Sequence, residues 1–364
     1  MERIRLLIIN ASTESSNLLQ SILKKDFLIH IVGIVNNLYD ARKKIGELKP
    51  DVLTLDIQTP DRGELHFLKI LMETSPMPVL VVTSQEERSS RTINQAFELG
   101  AVDVIYKPLP PFSENLENLE LSLINKVRAA SLSKISALAS VAHKTNQLAN
   151  EQIDSVISSQ NITFHPKQIL LLGASTGGTD ALRSILTSLP PNIPPICVVL
   201  HIPSYFSKAF ALRLNECCKF KVKEAEDGEE LTQGVAFIAP GDYHMRVLFN
   251  HKYHIKLSKD PKVWYQRPAV DVLFKSAAKS AGKYAVAAIL TGMGKDGAEG
   301  LSALKKQGAR TFAQDQQSSA SYGMPQAALD VGAAEQIVPL STMPSVLYNT
   351  LCSLSPKLQT TKIT

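Results

Sequence analysis

The sequence predicts an α/β chain built from two doubly wound parallel-sheet domains, and three observations carry that prediction. Short continuous apolar runs alternate with helix-like patterns along both halves of the chain. The runs lack a polar face, as strands buried on both sides do. A segment of different composition separates the halves.

In the first half, residues 1–125, the runs at 5–9, 29–35, 52–56, 79–83 and 102–106 read as five strands. Five such units argue for a doubly wound sheet whose ligand crevice lies beyond the carboxyl ends of its strands. Asn10 follows the first strand, Asp56 closes the third, Thr83 closes the fourth, and Lys107 follows the fifth. Convergence of those ends brings an acid, a hydroxyl and an ammonium together, a set suited to a carboxylate that accepts a phosphoryl group.

Residues 126–163 consist largely of Ala, Ser, Asn, Gln and Lys, without Gly, Pro or aromatics. Such a stretch buries little, so residues 126–165 are expected to link the domains. The second domain, residues 166–350, again alternates strands and helices. Strands are expected at 168–172, 196–200, 235–239, 253–257, 284–290 and 310–313, with helices at 206–217, 270–281 and 298–307. Residues 351–364 read as a C-terminal tail.

The chain has 364 residues, 44% of them hydrophobic and 20% charged, with a formal net charge of +5. The charge is spread out and no basic stripe carries interleaved aromatics, which argues against nucleic-acid binding. The apolar runs are too short to span a bilayer, and no N-terminal signal region appears. Cys197, Cys217, Cys218 and Cys352 lack metal or redox spacing and are expected to be small buried hydrophobes in a reduced cytoplasmic compartment. His251 and His254 lie too close along one strand to share a face, so no zinc pair is expected.

The motif that speaks most directly of chemistry is Gly173-Ala174-Ser175-Thr176-Gly177, which follows the apolar run 169–172 and leads into a helix-like stretch. A serine at a strand-to-helix turn, with glycines where a Cβ would collide, is how a hydroxyl is presented as a nucleophile. The same turn also suits a phosphate, but neither Walker nor dinucleotide spacing follows it. Two further polar residues stand after predicted strands: His201, after 196–200, and Asp296, after the Gly-rich stretch 291–294. A base to take the hydroxyl proton and a carboxylate to fix the imidazole tautomer complete a triad. The order Ser, His, Asp differs from that of α/β-hydrolases. The turn Thr291-Gly292-Met293-Gly294 is placed to expose an amide beside the nucleophile.

The first half resembles a two-component receiver domain of flavodoxin-like fold, through residues 51–60, Thr83 and Lys107-Pro108. The resemblance implies that Asp56 is the phosphoacceptor, that Thr83 and Lys107 contact the phosphoryl oxygens, and that Tyr106 is the aromatic switch. Receivers hold Mg²⁺ with an acidic pair after strand one. Asn10 and Ala11 stand there instead, so the implied metal site is weak or absent.

The second half resembles the catalytic domain of the chemotaxis protein-glutamate methylesterases. The resemblance rests on residues 173–179, His201-Ile202-Pro203, residues 239–245, 267–274 and 290–298, Ala313-Gln314-Asp315 and Gly323-Met324-Pro325. It implies Ser175 as nucleophile, His201 as general base and acid, Asp296 as orienting carboxylate and the Met293 amide as oxyanion donor. Leu200 stands where relatives often carry glutamine, and Ala269 where they often carry serine.

What the resemblance implies is a Rossmann-like hydrolase that removes glutamate γ-methyl esters and deamidates glutamine on methyl-accepting chemoreceptors. Catalysis would need no cofactor, the N-terminal receiver would regulate it, and a chemotaxis histidine kinase would be a second partner of a monomeric protein. A scaffold that binds receptors or adaptors without turnover is the alternative from another class.

Overall fold

The computed structural model describes residues 3–10, 12–57, 63–83, 89–106, 116–131, 163–202 and 204–355. The chain divides into two compact units, residues 1–139 and 140–364.

The first unit carries five strands: β1 (Ile4–Ile9), β2 (Ile29–Val35), β3 (Val52–Asp56), β4 (Val79–Thr83) and β5 (Asp103–Tyr106). They form one parallel sheet in the order β2-β1-β3-β4-β5. Helices α1 (Thr13–Leu23), α2 (Leu38–Leu48), α3 (Glu64–Thr74), α4 (Ser89–Glu98) and α5 (Leu116–Ser131) connect and follow them. Ser12 caps α1 by accepting the Ser15 amide, and Asn37 caps α2 by accepting the Asp40 amide.

Helix α5 runs past residue 125, where the linker was expected to begin. The extra turn has buried contacts that composition does not reveal. Val127 and Ala130 are fully buried, Lys126 Nζ donates to Asp103 Oδ1 at 2.6 Å, and Arg128 pairs with Asp26 at 2.5 Å.

In the second unit the strands are β6 (Ile169–Ala174), β7 (Ile196–Leu200), β8 (Lys221–Glu224), β9 (Val235–Ile238), β10 (His244–Asn250), β11 (Lys252–Ser258), β12 (Ala285–Ile289), β13 (Arg310–Gln314) and β14 (Gln336–Val338). The helices are α6 (Gly178–Ser188), α7 (Ser204–Cys217), α8 (Val270–Ser280), α9 (Ala298–Lys306), α10 (Gly323–Asp330) and α11 (Met343–Ser353). A seven-stranded parallel sheet has the order β14-β13-β12-β6-β7-β9-β8. The fold class is therefore the α/β one read from the sequence, with differences at the margins.

Strand β11, expected within the main sheet, pairs with β10 in a separate antiparallel hairpin instead. The hairpin lies against α8, where the Val247 amide donates to Ser276 Oγ at 2.9 Å and Ser280 Oγ donates to the Val247 carbonyl at 2.7 Å. The edge strands β8 and β14 are short and carry polar residues, so neither has the apolar run that marked the central strands. The tail expected from residue 351 starts later, because Leu351 is fully buried and its carbonyl accepts Gln168 Nε2 at 2.7 Å. Cys197 is buried, but Cys217 is exposed and Cys218 and Cys352 are partly so. Among the described residues no helix is long and apolar enough to cross a membrane.

Central strand β6 meets α8 closely. A Cβ on Gly173 would lie 2.4 Å from Val270 Cγ1, so only glycine lets the helix start pack on the strand. Gly173→Ala is expected to cost about 1–3 kcal/mol by overpacking. Gly228→Ala, at φ +79° with nothing within 4 Å of its Cβ, carries only the backbone term, on the order of 1 kcal/mol. Thermal unfolding of the two variants checks the order.

Candidate active site

The order of the second sheet reverses at β6. The chain passes from β6 to β7 on one side and takes up β12 on the other, so a crevice opens beyond the carboxyl ends of β6 and β12. The register pairs Ala174 with Leu200 and Gly173 with Ile289. Ser175 and His201 therefore leave the sheet side by side, and the His201 amide donates to the Ala174 carbonyl at 3.2 Å.

Ser175 follows β6 directly, and its amide donates to the Thr291 carbonyl at 3.0 Å. The turn into α6 is closed by the Gly178 amide on the Ser175 carbonyl at 2.7 Å. The left-handed residue in this turn is Gly177, at φ +75°, and the serine itself lies outside that region. The sharpness expected of the serine thus belongs to the glycine two residues on, unlike the strained serine of a nucleophile elbow.

A Cβ on Gly292 would lie 2.8 Å from Ser175 Cβ and 2.3 Å from Met324 Sδ, so the 291–294 turn presses directly on the serine. Thr291 anchors that turn. Its amide donates to Gln314 Oε1 at 2.8 Å, its hydroxyl donates to the Thr176 carbonyl at 2.9 Å, and it accepts the Ser321 amide at 2.9 Å. The Met293 amide makes no hydrogen bond among the described residues and belongs to this clamped turn.

His201 and Asp296 meet at 2.8 Å through Nε2 and Oδ2. The ionised carboxylate only accepts, so Nε2 carries the proton and Nδ1 keeps the lone pair of a base. Nδ1 is buried and has no hydrogen-bond partner, and Ser175 Oγ likewise has none among the described groups. Catalytic hydrogen bonds of this kind often close only with substrate present.

The Asp296 carboxylate also takes the amides of Val270 at 2.7 Å and Asp271 at 2.9 Å. Those are the first two residues of α8, whose N-cap residue Ala269 offers no side-chain bond. Asp296 therefore caps α8 from outside, and the positive helix end favours its negative charge.

Asp271, 1% exposed, returns the arrangement. Its Oδ1 accepts the Gly300 amide in the first turn of α9 at 2.6 Å, and its Oδ2 accepts Trp264 Nε1 at 2.9 Å. Burial pushes the Asp271 carboxyl above its usual range, against the lowering by these two bonds. Lys295 Nζ lies 4.0 Å from the centre of the Trp264 ring.

His244 props the same helix start. Its Nδ1 accepts the Ala269 amide at 3.2 Å, which leaves Nε2–H to donate to the Pro261 carbonyl at 3.1 Å. Burial holds its pKa below the usual histidine value. Sequence reasoning missed Asp271, Trp264 and His244 as supports; the only signal was that all three lie in or beside the resembling stretches.

In the first unit, Asn10, Asp56 and Thr83 are all buried at the ends of β1, β3 and β4. The pairing of Ile9 with Leu55 brings Asn10 and Asp56 to adjacent strand ends. Tyr106 ends β5. Ala11 and Lys107 lie outside the described residues.

The class defined by this fold and site is a two-domain α/β protein that joins a receiver-type module to a serine, histidine and aspartate site of hydrolase type. The chain belongs to the CheB methylesterase family. The family model described as CheB methylesterase matches residues 170–347, and the response regulator receiver domain model matches residues 6–117. A Syntrophus aciditrophicus protein named protein-glutamate methylesterase/protein-glutamine glutaminase 2 is 41% identical over 94% of this chain and 98% of its own length. A Geobacter metallireducens protein named protein-glutamate methylesterase/protein-glutamine glutaminase 1 is 40% identical over 96% of each chain. The crystal structure of the Thermotoga maritima CheB methylesterase catalytic domain is 40% identical, covers 50% of this chain and 98% of its own, and has a TM-score of 0.49.

Two predictions follow from the helix-start network. Asp271→Asn turns an NH₂ group toward one of two donors, which is expected to cost about 1–3 kcal/mol and to lower the unfolding temperature measured by calorimetry. The folded-state pKa of His244 is depressed, so its contribution is present above the unfolded value of about 6.5 and is lost as pH falls through the folded value. Unfolding temperatures at about pH 7.5 and 5.5, either side of that value, are expected to differ less in His244→Gln than in the natural chain.

Proposed function

We propose that this chain hydrolyses glutamate γ-methyl esters and deamidates glutamine on the cytoplasmic parts of methyl-accepting chemoreceptors. The observation that carries the chemistry is the His201–Asp296 pair, which leaves Nδ1 as an unpartnered base beside the strand end that bears Ser175. The relatives' names supply the substrate class and favour the enzyme over a scaffold.

In this reading Ser175 Oγ attacks the ester carbonyl while His201 Nδ1 takes its proton. The oxyanion that forms accepts the Met293 amide, and Asp296 stabilises the imidazolium through Nε2. His201 then returns the proton to the methoxy oxygen and methanol leaves. Water, activated by the same nitrogen, opens the acyl-enzyme to a free glutamate; with glutamine, ammonia leaves in place of methanol. Every proton is accounted for by one imidazole, so catalysis uses no metal or cofactor. The protein acts in the cytoplasm as a monomer, with receptors as substrates and a chemotaxis histidine kinase as a partner of its receiver.

Incubation with methylated receptor, with methanol release as the readout, tests the assignment. Ser175→Ala is expected to lose about 10⁴- to 10⁶-fold in rate; turnover equal to that of the natural chain would remove Ser175 from the mechanism. Asp296→Asn is expected to lose about 10⁴-fold and also to unfold at lower temperature, because the same carboxylate caps α8.

A further inference from the structure

The receiver resemblance implies Mg²⁺ bound by two acids after β1 and by Asp56, and the residues present do not fit that ion. Asn10 is 2% exposed, and its Oδ1 accepts the Ser12 amide at 2.9 Å. A backbone N–H bonds only to an acceptor, so this contact fixes which way the amide faces. Ser12 is itself the N-cap of α1, which ties the orientation to the start of the helix. What remains is Nδ2, a buried donor without a hydrogen-bond partner.

A buried N–H group repels a cation and calls for an acceptor oxygen. Magnesium requires hard oxygen ligands in near-octahedral array and gives up its water reluctantly. Position 11 is alanine, whose side chain has no ligating atom. Glu14 lies in the first turn of α1 and is exposed, so it does not restore the buried pair. Among the described residues no three His, Cys, Asp or Glu side chains gather as a metal group.

We propose that this receiver operates without a divalent cation: Asn10, with its Oδ1 committed to the Ser12 amide, presents a buried, unpartnered Nδ2 donor where a receiver of the usual kind offers a carboxylate to Mg²⁺. The proposal rests on the receiver reading alone and is independent of the esterase chemistry. Transfer from an acyl phosphate would break the bond from phosphorus to the acetate oxygen and form one to an Asp56 oxygen, releasing acetate. Negative charge that develops on the phosphoryl group in that step is ordinarily neutralised by metal. With a neutral donor in its place, the step is not supported.

The test uses the full chain and two variants, Asn10→Asp and Asn10→Asp/Ala11→Asp, titrated with Mg²⁺ alone by calorimetry. Loss of groups that merely support metal ligands costs about 10- to 100-fold in affinity, and these positions would be ligands themselves. The natural chain is therefore expected to bind at least about 100-fold more weakly than the double variant, with the single variant between them. Radiolabelled acetyl phosphate with Mg²⁺ is expected to label the double variant at Asp56 and to leave the natural chain unlabelled.

Two results would overturn the proposal: Mg²⁺ affinity in the natural chain matching the double variant, or a Mg²⁺-dependent label on the natural chain that Asp56→Ala abolishes. Failure of both variants to gain Mg²⁺, with their circular dichroism unchanged, would also overturn it. The exclusion would then not lie in Asn10 and Ala11.

Discussion

The contact on which the catalytic unit depends is the seat of the Asp296 carboxylate on the first two amides of α8. Three donors converge on it, two from backbone and one from His201. Hydrogen bonds to a charged group contribute about 1.5–3 kcal/mol each, and a partly buried helix terminus adds up to about 2 kcal/mol. An unpaired carboxylate at that depth would cost more than any one of these terms. The orienting acid of the site is thus also the cap of a helix, and Asp271 repeats the device at the start of α9. The two helix starts hold each other through crossed carboxylates, and the imidazole takes its direction from the result.

Close approach makes the seat possible. Glycine at 173 lets Val270 reach β6, and a Cβ on Gly297, at φ +91°, would meet Val270 Cγ1 at 2.7 Å. The strand that carries Ser175 and the helix that holds Asp296 are therefore separated by little more than one valine side chain. Thr291 then locks the third wall, with its hydroxyl bridging Thr176 and Ser321. Positions in the crevice are set by backbone contacts and short side chains, which lose little entropy on ordering. This suits a site whose geometry must hold before substrate arrives.

The central strands were legible because burial on both faces leaves an uninterrupted apolar run. Strands β8 and β14 were not, since each lies at a sheet edge, where polar residues serve. Ser175, His201 and Asp296 could be read because each follows a strand or a glycine turn in sequence. Asp271, Trp264 and His244 could not, because their roles exist only once distant segments meet. The serine turn shows the middle case: its glycines are visible in the sequence, but which residue takes the left-handed conformation is decided by packing. The sequence could suggest a strained serine, whereas Ala320 and Thr291 crowd Gly177 instead.

Asp296, in the loop between β12 and α9, and Asp56, at the end of β3, show how surroundings divide one chemical group between roles. The Asp296 carboxylate takes two backbone amides and His201 Nε2, and the far nitrogen of the imidazole it orients is left open. At the strand end next to that of Asp56, a buried donor, Asn10 Nδ2, is left open while its amide oxygen is held by the Ser12 amide at the start of α1. A base without a partner is ready to take a proton; a buried amide without an acceptor is ready to bind oxygen but has no charge to offset a phosphoryl group. One unit therefore retains an arrangement able to move protons, while the other has exchanged an electrostatic site for a hydrogen-bonding one.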